Sequence, residues 1–173
     1  MAGVTSSRSG WIVVRRPGNA GYVPAARDRG NSDGGVNSVV RDGVGSWRIT
    51  MPGLGGTGGH VQVTPMNSAY RTCKTDGWSG SPDLKIDIVC VDRLEVLSDT
   101  RFVVTFTEGT GSDGGSAGRL AYVFDDLHDA SGTPDLAYQH TSAGTTIASD
   151  HLGTGTYRIT IPGIAPTGGN VQL

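Results

Sequence analysis

Residues 43–62 (GVGSWRITMPGLGGTGGHVQ) recur 110 positions later as residues 153–172 (GTGTYRITIPGIAPTGGNVQ), with 12 of the 20 positions identical. A repeat at this spacing restricts the chain to a modular architecture, in which each copy is a supersecondary unit with its own apolar face to bury. The second copy reaches Leu173, the counterpart of Val63, so the residues after Val63 in the first copy have no counterpart in this sequence. The expected organisation is a complete repeat over residues 1–107, a Gly/Ser-rich linker over 108–118, and a partial second repeat over 119–173 that lacks its last three strands, as in a fragment or truncation.

The repeat preserves a β-strand period as well as its letters. In SWRITM, Trp47, Ile49 and Met51 share one face against Arg48 and Thr50, and the second copy keeps Tyr157, Ile159 and Ile161 against Arg158 and Thr160. Leu84, Ile86, Ile88 and Cys90 form another such face, as do Phe102, Val104 and Phe106. Further strands are expected at 11–15, 35–41, 60–64 and 69–74, with a poorer one at 22–26, and in the second copy at 119–125, 136–140, 145–150, 156–161 and 170–173. Between them stand the turn formers PGNAG, NSDGG, PGLGGTGG and DGWSGSPD. With 28 glycines, 36% hydrophobic and 17% charged residues, helix is disfavoured. The predicted fold is all-β, an immunoglobulin-like antiparallel β-sandwich, one complete repeat plus an incomplete second copy. Trp11 and Trp47, whose counterparts at the same offset are Ala121 and Tyr157, are assigned to its buried face.

Composition excludes several classes. No apolar run approaches the roughly 18 residues of a membrane-spanning helix, and no basic patch of nucleic-acid type is present. The opening MAGVTSSRSGW has no apolar core of the kind a signal peptide needs. A sandwich short of three strands leaves an open sheet edge and an apolar face, so a homo-oligomer formed through residues 119–173 is expected. Cys73 and Cys90 either form a disulfide, which would contribute about 3 kcal/mol in the chain-entropy model, or pack as two small buried thiols.

Two constellations are candidates for chemistry. The second copy collects Asp125, Asp126, His128, Asp129, His140, Asp150 and His151. Imidazole and carboxylate suit zinc, manganese or iron, with His128, His140 and His151 as candidate ligands and Asp126 or Asp150 completing the shell or acting as base. Such a site would make the chain a small metal-dependent hydrolase of esters or phosphoesters, working through a metal-activated water. The histidine spacings match no strong metal signature and HExxH is absent. The second candidate is Trp78 in TDGWSGSPD, either an apolar platform for a sugar ring or partner protein, or a ring packed over the cysteine pair. Ser79 in GWSGS is not in a nucleophile turn, and PGLGGTGGH lacks the lysine and following helix of a phosphate loop.

The motif GxGxYRITIPG, followed by GGxVQ, a cysteine, a DGW turn, an xVxC strand and a final RFxVxFT strand, resembles tandem β-sandwich repeats of about 110 residues in uncharacterised secreted bacterial proteins. The resemblance covers the first repeat nearly whole and the second as far as the chain goes. It implies an extracellular setting, a β-sandwich, Cys73 and Cys90 as the cysteine pair, and Trp78 in the loop between them. It implies no reaction. The function expected is an extracellular structural or binding repeat that presents loops on a rigid sandwich to a polysaccharide or protein ligand. No cofactor is called for, and a divalent metal, zinc or manganese, enters only in the hydrolase alternative.

Overall fold

The computed structural model describes residues 8–66, 70–108 and 120–164. The expected linker beyond Glu108, the strand at 170–173, and residues 69 and 119 at the edges of two other expected strands lie outside the described residues. The chain divides into two compact units, residues 1–57 with 61–108, and residues 58–60 with 109–173.

The first unit is a β-sandwich of antiparallel strands. Its strands are β1 (Arg8–Val14), β2 (Gly21–Tyr22), β3 (Arg29–Asn31), β4 (Ser38–Gly43), β5 (Ser46–Met51), β6 (His60–Pro65), β7 (Arg71–Ser79), β8 (Leu84–Asp92) and β9 (Phe102–Glu108), with a 3-10 turn at Ala26–Asp28. One sheet runs β3-β1-β9-β6 and the other β2-β4-β5-β8-β7. Alternation accounts for the core. Ile12, Val14, Phe102, Val104 and Phe106 from the first sheet meet Trp47, Ile49, Met51, Leu84, Ile86 and Ile88 from the second, all buried. Each large side chain so buried contributes about 2–3 kcal/mol of apolar transfer. Trp47 stands edge-on to Phe102, ring centroids 5.0 Å apart, and its indole N–H donates to the Pro17 carbonyl at 3.1 Å. The buried amide of Asn37 donates to the Trp11 and Gly30 carbonyls and accepts from Asn31. This leaves a polar core group satisfied where the β1 and β3 backbones meet.

Trp11 departs from expectation. Gly10, Ile12 and Val14 take the inward parity of β1, so Trp11 faces out and is 38% exposed. Its indole lies over Gly30 on β3, where an added Cβ would come within 2.2 Å of the ring nitrogen. The strand expected at 22–26 is instead the short β2, the 3-10 turn and β3, a segment too Gly- and Pro-rich to alternate.

The second unit contains β10 (Ala121–Val123), a 3-10 turn at Leu136–Tyr138, β11 (Gln139–Thr141), β12 (Ala148–Gly153) and β13 (Thr156–Thr160). β12 pairs with β13 in the same register, pair for pair, that β4 and β5 use 110 residues earlier, including the irregularity before Gly153 and Gly43. The gapless offset fails nearer β10. Gly10 opposes Asn31 in the first unit, whereas Ala121 opposes Thr141 in the second. The intervening segment is therefore one residue shorter, and Trp11 corresponds to Tyr122 rather than to Ala121. Among the described residues there is no helix long and apolar enough to cross a membrane.

Candidate binding rim

Cys73 and Cys90 oppose each other across β7 and β8 and are joined by a disulfide. Both face the core, and that parity organises the end of the hairpin beyond them. Two pairs further on, Arg71 opposes Asp92 as the last pair of the ladder. Tyr70 precedes β7 and Arg93 follows β8, and these four residues line a shallow cavity of about 210 Å³. Tyr70 is 83% exposed, an unusual position for a ring of that size, and the neighbouring Leu94 and Val96 are exposed too.

The carboxylate of Asp92 shapes the rim. It accepts from the Leu94 and Val96 backbone N–H groups at 2.8 and 3.1 Å, while its own N–H donates to the Val96 carbonyl and Glu95 takes a left-handed conformation. These backbone hydrogen bonds, Leu94 first, hold the Asp92 carboxyl below the usual carboxylate range, and the Arg71 and Arg93 charges add to the effect. The two arginines differ from several others in the unit. Arg8, Arg15, Arg41 and Arg48 are paired with Glu108, Asp28, Asp99 and Asp87. Among the described residues Arg71 and Arg93 form no ion pair. Arg71 donates from one terminal nitrogen to the Tyr70 carbonyl at 3.0 Å, but its Nε is buried without a hydrogen-bond partner. Inward parity explains this, since Arg71 lies on the Cys73 side of the strand and draws its stem under the rim.

The residues singled out from sequence are placed differently. Trp78 is not in a turn but within β7, opposite Ile86, and is only 8% exposed. The ladder shifts between Thr75 and Gly77, so Asp76 is an extra residue and the side-chain parity beyond it is reset, turning Trp78 inward. The hairpin turn is confined to residues 80–83. As a buried ring, Trp78 offers no open platform to a ligand.

The metal candidates of the second unit do not converge. Asp126 and His128 lie in the loop after β10, His140 on β11, and Asp150 and His151 next to each other on β12. Consecutive strand residues point to opposite faces, so Asp150 and His151 cannot share a site. His140 stacks on Tyr122 with ring centroids 5.6 Å apart, and His151 packs against Tyr157 at 5.2 Å. The Tyr157 hydroxyl donates to the His128 carbonyl at 2.5 Å, and the Asp125 carboxylate accepts from the Ser149 hydroxyl. Among the described residues there is no group of three His, Cys, Asp or Glu side chains placed to hold a metal ion.

Fold and rim together define a disulfide-locked antiparallel β-sandwich that carries, at one end of its five-stranded sheet, an exposed aromatic ring and two guanidinium groups outside any ion pair among the described residues. No protein-family model, curated protein or solved structure matches the chain.

Proposed function

We propose that the chain is an extracellular binding module, and that the rim formed by Tyr70, Arg71 and Arg93 takes an acidic polysaccharide. The observation that carries this reading is the pair of arginines without ion-pair partners beside an open tyrosine ring, one of them with a buried, unsatisfied Nε. Guanidinium groups bind carboxylate and sulfate through paired N–H donors, and an exposed phenol offers an apolar face to a sugar ring with a polar edge beside it. The disulfide two residue pairs away supports the reading in two ways. It holds the strand ends in place before binding, which lowers the ordering cost, and it suits an oxidising compartment. The hydrolase alternative is not carried forward, because its ligands do not meet among the described residues.

The test is retention on immobilised polysaccharides. The wild-type chain should be held by a carboxylated or sulfated matrix and not by a neutral one, and released by salt. Arg71→Ala and Arg93→Ala should each elute at lower salt, and Tyr70→Ala should weaken retention without changing thermal stability. Equal retention on neutral and acidic matrices, or indifference to all three substitutions, would overturn the reading.

A further inference from the structure

The β12–β13 hairpin keeps the register of β4–β5 but not its surroundings. In the first unit the outer edge of β5 is taken by β8, with Trp47 opposite Ile88, Arg48 opposite Asp87 and Ile49 opposite Ile86. Trp47 and Ile49 are then 1% and 0% exposed, whereas their counterparts Tyr157 and Ile159 are 41% and 38% exposed. Among the described residues β13 pairs only with β12. Glycine geometry records the same difference. Gly45 and Gly155 hold the same left-handed turn conformation, φ 68° and 69°. A Cβ on Gly45 would meet the Cys90 carbonyl of β8 at 2.6 Å, while one on Gly155 meets nothing within 4 Å.

Charge identifies what fits there. Arg48 forms a 2.8 Å ion pair with Asp87 of β8, and a second carboxylate, Asp42, lies 3.7 Å away. The second unit retains the arginine as Arg158 but has Leu152 where Asp42 stands. We infer that the open edge of β13 is a docking site for an extended antiparallel β-strand of the β8 type. Its occupant has an acidic residue opposite Arg158, flanked on either side by branched apolar residues opposite Tyr157 and Ile159. Main-chain hydrogen bonds supply the affinity, and this apolar–acidic–apolar pattern sets the register.

The probe is a labelled synthetic peptide of residues 83–93 with Cys90→Ser, added to the whole chain. The expected result is saturable binding of one peptide per chain, with new hydrogen-exchange protection on Thr156–Thr160 and none on β5, where the disulfide keeps the native β8 seated. Asp87→Lys in the peptide should weaken binding about five-fold through the like charge it sets opposite Arg158, and Arg158→Glu in the chain should restore it. Arg158 is exposed, so this swap leaves the core untouched. Absence of saturable binding, or binding insensitive to the charge swap, overturns the inference. So does a chain that sediments as a dimer with β13 already protected, because a second copy would then be the occupant.

Discussion

Trp78 reaches the core only because β7 carries one extra residue at Asp76, whereas Arg71, on the Cys73 side of that irregularity, ends at the rim. Trp78→Ala should therefore cost about 3 kcal/mol or more in a denaturant titration, while retention of the folded protein on an acidic matrix stays unchanged. The reset of parity was not legible in TDGWSGSPD, whose letters read equally well as a turn; Gly77, at φ 140°, was the available signal. Asp99 carries a second prediction at this scale. Burial pushes its carboxyl upward, but the hydrogen bonds from Arg41 and from the Gly45 N–H outweigh burial and leave it below the usual carboxylate range. A carboxyl lowered by folding stabilises above its unfolded pKa of about 4, and that stabilisation is lost as pH falls through the folded value. Asp99→Asn should lower stability at pH 7 by about 1–2 kcal/mol and flatten the loss of stability below pH ~4, measured by thermal unfolding from neutral to strongly acid solution.

At the scale of elements, the hairpins were the most legible parts. Alternation in SWRITM and TYRIT reflects side chains that a sheet sorts two by two, and the equal registers of β4–β5 and β12–β13 follow from it. β3 and β11 were not legible as separate strands, because three residues beside a 3-10 turn are too few to alternate. The β7–β8 hairpin carries the rim, so its covalent link ought to affect stability and binding together. Cys73→Ser with Cys90→Ser should lower the stability of the first unit by about 3 kcal/mol. It should also weaken retention on an acidic matrix at temperatures where the unit is still folded, because the strand ends beyond the link are less restrained. Circular dichroism and column retention on the same sample separate the two effects.

For the whole molecule, the all-β sandwich could be read from glycine-rich turns spaced between alternating segments. Parity along those segments also gave the inward set of Trp47, Ile49, Ile86, Ile88, Phe102, Val104 and Phe106, all of them buried. It failed at Trp11, whose bulk suggested the core although Gly10 and Ile12 hold the inward positions of β1. The rim was not legible. Tyr70 and Arg71 lie far from Asp92 and Arg93 in the chain, and only the register of β7 on β8 brings them together. The His/Asp cluster misled for the converse reason, since residues grouped in sequence are divided among β11, two faces of β12 and a loop. The central claim, that this rim binds an acidic saccharide, is tested most directly by titrating the isotopically labelled chain with a carboxylated or sulfated oligosaccharide and following its amide resonances. The account predicts saturable shifts centred on Tyr70, Arg71, Asp92 and Arg93 that fade as salt is raised. Shifts that are absent, or that centre on another face of the sandwich, would contradict it.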